Sequence, residues 1–128
     1  MEQRTHERIA AHLCGSPVEM AAGRARVSLE TTREMGADAR GLVHGGFTFG
    51  LADYAAMLAV NEPTVVLASA ETKFLGPVIA GDRLEAEAVV ERTEGKKRWL
   101  KVVVRRDGAP VIDGQFLAVV PDRHILDR

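Results

Sequence analysis

Between Gly41 and Val60 the chain reads GLVHGGFTFGLADYAAMLAV, twenty residues with a single acid, Asp53, and no lysine or arginine, although 27% of the 128 residues are charged. Within it Phe47, Leu51, Tyr54 or Ala55, and Leu58 recur at helical spacing, and the alanines between them permit close packing on another element. The spacing predicts a central helix over Phe47–Val60, stopped by Asn61, Glu62 and Pro63. If that helix packs in the core, Asp53 must find hydrogen-bond donors or sit at a cleft. An unpaired buried carboxylate costs several kcal/mol in lost hydration. The bland alternative places Asp53 on the wet edge of the helix. The functional one makes it a general base or nucleophile, attacking a carbonyl directly or activating water.

The remaining sequence supplies strands to cover such a helix. Residues 24–32 alternate Val27 and Leu29 inward with Arg26, Ser28 and Glu30 outward. Residues 64–76 read as a strand of mixed patterning that ends in a turn at Gly76 and Pro77. Residues 82–91 set Leu84, Ala86 and Ala88 against Glu85 and Glu87, and residues 97–108 set Leu100, Val102 and Val104 against Trp99, Lys101, Val103 and Arg105. Asp107 and Gly108 form a turn before a last strand over Val111–Val120, expected to be interrupted or bulged near Gly114. Ahead of these, Ile9 and Leu13 suggest a short helix over Thr5–Leu13, stopped by Gly15, Ser16 and Pro17. The predicted order is helix, strand, loop, long helix and four strands, in one domain over residues 1–128.

From Met35 to Gly46 the glycines at 36, 41, 45 and 46 mark a loop whose backbone enters tight or left-handed geometry. Gly45 and Gly46, just before the helix, can turn backbone N–H groups toward a developing oxyanion, assisted by the positive end of the helix dipole. His44 can orient the loop, donate to a bound carbonyl or satisfy a buried backbone acceptor. HGG alone is a weak signal. HGG followed by a lone helical acid nine residues after the histidine is a usable constellation.

Several function classes are disfavoured. The 17 basic and 18 acidic residues nearly cancel, which speaks against a nucleic-acid footprint. Cys14 is the only cysteine, with no partner for a disulfide, and reads as a buried or surface thiol. His6, His12, His44 and His124 lack HExxH-type spacing, so no metal site is expected. No Asp and His stand in a persuasive pair for addition across a double bond. The start, MEQRTHERIAAHL, lacks the apolar run of a signal peptide and no window reaches membrane-span length, so a cytoplasmic protein with no membrane partner is expected. Seven basic groups between Arg92 and Arg106 read as the wet face of a hairpin, or as a partial cradle for a nucleotide phosphate.

GLVHGGFTFGLAD, supported by FLGPVIAGD, resembles the hotdog-fold acyl-CoA thioesterases, particularly the small phenylacetyl-CoA-type (4-hydroxybenzoyl-CoA thioesterase-like) branch, over roughly Met35–Asp122. The resemblance implies an α+β fold in which an antiparallel sheet wraps a long central helix. It also implies homodimers or homotetramers with sites at the interface, and hydrolysis of an acyl-CoA or related acyl-thioester. No cofactor is implied, coenzyme A being part of the substrate. Carried onto this chain, Asp53 is the catalytic carboxylate, Gly45 the oxyanion N–H and His44 a loop or thioester-positioning residue. The family often has Asn six residues before the histidine, where this chain has Asp38, and Arg where it has Gly76. Asp38 is a further candidate site residue, and as a neighbouring carboxylate it could raise a pKa. A Ser or Thr at the far wall is implied too, with Thr64 and Ser69 both open.

Overall fold

The computed structural model describes residues 1–127. A short helix α1 (Ala11–Cys14) leads into β1 (Ser16–Ala21) and β2 (Arg24–Glu30). A single 3-10 turn (Arg33–Met35) and an irregular loop precede the long helix α2 (Gly45–Val60), and β3 (Val66–Phe74), β4 (Arg83–Glu94), β5 (Lys97–Arg106) and β6 (Ala109–Val119) follow. The six strands form one antiparallel sheet in the order β1-β2-β4-β5-β6-β3, so β1 and β3 are its edges. Helix α2 lies against β2, β4, β5 and β6.

Alternation places Val27, Leu29, Leu84, Ala86, Ala88, Leu100, Val102 and Val104 on the face under the helix, where all are buried. Leu51, Ala52 and every residue from Tyr54 to Ala59 are buried as well, so α2 is enclosed on almost all sides. Alanines at 52, 55, 56 and 59 let the surrounding elements close in without a void. The helix ends on Asn61, whose left-handed backbone (φ 52°) suits an Asn cap and whose N–H reaches Met57 O at 2.8 Å.

Four expectations need correction. The helix predicted over Thr5–Leu13 is formed only at its end, the chain before it being tied through residues 2–4 to α2 and its Asn61 cap. Arg4 N–H donates to Asn61 Oδ1 (2.8 Å), Asn61 Nδ2 to Glu2 O (2.8 Å) and Gln3 Nε2 to the Tyr54 hydroxyl (3.1 Å). Ser16 and Pro17, read with Gly15 as a stop, open the edge strand β1, which the sequence reading did not expect. Gly45 and Gly46 belong to the first turn of α2, and it is Gly41 that takes the left-handed backbone in that loop (φ 81°). The register of β6 runs unbroken through Gly114, and the irregularity lies nearer the strand's start, at Val111, where Val104 pairs with Ile112 but Arg105 with Pro110. The glycine is there for room, since a Cβ would stand 2.8 Å from Phe116 and 2.9 Å from Thr72.

Candidate active site

Asp53 emerges from α2 where the enclosure is incomplete. It is half-buried and lines a groove of about 520 Å³ with Thr5, His6, Met57, Thr64, Val66 and His124. Burial pushes its carboxyl above the ordinary value, and among the described residues no cation or hydrogen-bond donor offsets that rise. The carboxylate therefore keeps more basicity than a solvated one and has room beside it, as a base or nucleophile requires.

The first turn of α2 is the second component. The His44 N-cap makes no side-chain capping bond, and its backbone carbonyl accepts the Phe47 N–H (3.0 Å). An α-helix leaves its first N–H groups without intrahelical partners, so Gly45 and Gly46 present free donors at the positive end of a sixteen-residue helix. His44 is exposed, its N–H bound to Met35 O (2.9 Å), and its ring lies over Gly46, where a Cβ would approach Cδ2 and Nε2 to 2.9 Å. A Cβ on Gly45 would meet Phe74 at 3.3 Å. The glycines thus keep the helix end open to an approaching group while His44 and Phe74 flank it.

Within one chain these two components stand apart. Eight residues of helix separate Gly45 from Asp53, about 12 Å along the axis. Asp38 does not join Asp53 either. It is exposed in a separate groove with Arg33, Arg40, Gly41 and Ile79, and its Oδ1 accepts the N–H groups of Arg40 (2.9 Å) and Leu42 (3.1 Å). It plays no part in the rise of the Asp53 carboxyl. Of the two far-wall candidates, Thr64 lines the Asp53 groove, its hydroxyl donating to Pro121 O at 2.6 Å, whereas Ser69 is exposed on edge strand β3. Tyr54 is a core residue, bonded to Gln3. The Cys14 thiol is pushed up by burial and then by the Asp53 charge, the reverse of activation.

The basic hairpin is largely self-satisfied. Arg92 pairs with Glu94 and lies 4.3 Å above the Trp99 ring, Lys96 meets Asp122 at 3.0 Å, Lys101 pairs with Asp113, and Arg106 donates to Pro77 O at 2.8 Å. That favours a solvated face over a phosphate cradle.

Two histidines in the Asp53 groove, His6 and His124, were not selected from sequence. They come from opposite ends of the chain, so no spacing rule could join them to residue 53, with which they share the groove lining. His6 has a left-handed backbone (φ 55°), a conformation that costs a residue with a Cβ roughly 1–2 kcal/mol. Its Nδ1 shares a 2.7 Å hydrogen bond with the buried Thr5 hydroxyl, and burial pushes its pKa down, toward the neutral imidazole.

A solved structure of an uncharacterized protein from Pyrococcus horikoshii is 53% identical, with a TM-score of 0.98 over 99% of this chain and 98% of that one. A variant of the phenylacetic acid degradation protein PaaI from Thermus thermophilus is 28% identical, with a TM-score of 0.81 over 90% of this chain and all of that one. Among curated relatives, a protein of Aquifex aeolicus named methylthioribose-1-phosphate isomerase is 49% identical over 93% of this chain, which spans only 26% of its length. The transcription factor FapR of Caldanaerobacter subterraneus is 26% identical over 94% of this chain, which spans 60% of it. The chain thus spans less than two thirds of these curated relatives. Residues 40–111, which carry the HGG turn, α2 with Asp53, and β3 to β5, match the family described as the thioesterase superfamily. The sheet-wrapped helix is the hotdog fold, and the chain belongs to the thioesterase superfamily.

Proposed function

We propose that the protein hydrolyses an acyl-CoA or a related acyl-thioester to a carboxylic acid and a free thiol, with Asp53 as base or nucleophile and the Gly45 N–H as oxyanion donor. His44 holds the reacting edge of the site. The observation that carries this is the lone carboxylate of an otherwise uncharged helix, raised by burial and opening on a groove. Asp53 adds to the acyl carbon or takes a proton from the water that does. Charge then moves onto the carbonyl oxygen, where a backbone N–H at a helix N-terminus stabilises the transition state more than the ground state.

The separation of Gly45 from Asp53 leads to a second element of the proposal. A reacting carbonyl must lie about 3 Å from both nucleophile and oxyanion donor, which one chain's helix does not allow. Two copies facing each other supply Asp53 from one and Gly45 from the other. Support comes from the helix start, where Phe74, Leu75, Leu42 and Ile79 are all exposed beside the free edge of β3. Apolar side chains next to an unpaired strand edge suit a second copy of the chain. The reading is therefore of a homodimer or a homotetramer.

Release of free thiol from a panel of aliphatic and aromatic acyl-CoA esters tests the activity. Asp53→Ala is expected to lower kcat by at least about 100-fold while the protein stays folded. Unchanged turnover in the folded variant defeats the assignment. The likeness to FapR favours one other reading, an acyl-CoA-binding or regulatory domain, which would bind the ester and release no thiol.

A further inference from the structure

The N-terminal segment is held against α2 by more buried polar groups than an ordinary chain end requires. Asn61, itself buried, uses both ends of its amide on the backbone of Glu2 and Arg4. The Tyr54 hydroxyl, next in sequence to Asp53, accepts from Gln3, whose amide also donates to Thr5 O at 2.8 Å. Thr5 is buried and fixes the ring of His6. The result of all this bonding is that His6 is placed in the groove of Asp53.

His6 is also held in a left-handed backbone at the start of a turn, its carbonyl accepting the Ile9 N–H at 3.2 Å. Among the described residues three without a glycine's freedom have positive φ. Asn61 caps α2, and Asp107 with Gly108 makes the hairpin turn between β5 and β6, both ordinary uses of that conformation. His6 ends no helix of its own and joins no strands. A strained residue retained beside a candidate catalytic carboxylate points to a use for its side chain.

We propose that His6 is a second catalytic residue of the Asp53 groove, the base that activates water in the second half of a two-step hydrolysis. The proposal rests on the thioesterase reading. In the first step an Asp53 carboxylate oxygen adds to the thioester carbonyl carbon and the C–S bond breaks. The electron pair leaves on sulfur, which takes a proton from solvent. Asp53 is then tied up in an anhydride and no longer able to act as a base. In the second step His6 removes a proton from water, the water oxygen adds to the acyl carbon, and the C–O bond to Asp53 breaks to restore the carboxylate. The imidazolium returns its proton to solvent. The role uses the tautomer in which Nδ1–H donates to the Thr5 hydroxyl oxygen, so that the lone pair sits on Nε2, which has no partner among the described residues and is free to take a proton from water.

The titratable neighbours are Tyr54 and Asp53 from α2, Cys14 close to both, and His124 from the C-terminal segment. Burial lowers His6 from 6.5 and raises Asp53 from 3.8, and since each must lose its proton to act, Asp53 sets the acid limb of kcat/KM and His6 that of kcat when the second step limits.

His6→Gly and His6→Asn test the assignment, since both residues accept the left-handed backbone. Each is expected to lower kcat for an acyl-CoA ester by about 100-fold or more, with KM falling in step so that kcat/KM, which reports the first half-reaction, stays within about threefold. The thiol product should appear as a burst of one equivalent per site, the acid limb of kcat should lose the His6 ionisation while that of kcat/KM is kept, and free imidazole should restore part of the rate of His6→Gly. The melting temperature of His6→Gly should equal or exceed that of the wild type, because glycine removes the strain. A kcat within twofold of wild type, or a loss that tracks a fall in melting temperature and is not restored by imidazole, overturns the role of His6 while leaving the thioesterase reading in place. A wild-type protein that releases no thiol from any ester overturns both.

Discussion

Asp53 shows how a single side chain sets stability against use. Its carboxyl is raised above 3.8 by burial, so the charged form is less at home in the folded protein than in the unfolded chain. The neutral form is favoured on folding, and that benefit is complete below 3.8 and lost as pH rises through the folded value. Asp53→Asn, which keeps the shape without the charge, should therefore melt higher than wild type at about pH 7 and no higher at about pH 3, by calorimetry at both pH values. His6 runs with the opposite sign. Its lowered pKa adds stability above pH 6.5 that is lost as pH falls toward the folded value. At this scale the sequence was most informative where a residue contradicted its surroundings. Asp53 stands out among twenty residues, whereas His6 is one polar residue among many at a chain end, and only its backbone and its neighbours distinguish it.

Legibility of the secondary structure depended on whether an element has one wet and one dry face. Strands β2, β4 and β5 each alternate buried and less-buried positions and were readable to within a few residues. Edge strand β1 has no fully buried position and carries Pro17, so there was no alternation to find. Glycine misled in β6, where Gly114 marks a crowded crossing and the irregular positions, Val111 there and Ala68 in β3, carry no glycine at all. Gly114→Ala should cost about 1–3 kcal/mol by denaturant titration, because the new methyl meets Thr72 Cγ2 and the Glu71 carbonyl across the strand pair. Gly46→Ala meets only the movable His44 ring and should leave stability almost unchanged while displacing that ring.

At the scale of the molecule, the sharing of one site between two chains can be tested by mixing inactive variants. Gly45→Pro removes the proposed oxyanion N–H at a first-turn position where proline is accepted, and the extended backbone of His44 (φ −61°, ψ 131°) suits a residue before proline. Gly45→Pro and Asp53→Ala should each be inactive alone. Unfolded together and refolded, they should regain roughly a quarter of wild-type turnover, since half of the pairs are mixed and each mixed pair holds one intact site. No recovery would place both groups in one chain or remove one of them from the chemistry. The enclosure of α2 has a consequence for how the protein is made. The helix is complete at Val60, yet β4, β5 and β6, which cover it, end only at Val119. At roughly 5–20 residues per second a ribosome needs about 3–12 s to deliver that stretch. For those seconds the nascent chain carries a nearly uncharged helix with only β1 and β2 of its cover in place, and a holding chaperone is the natural company for it.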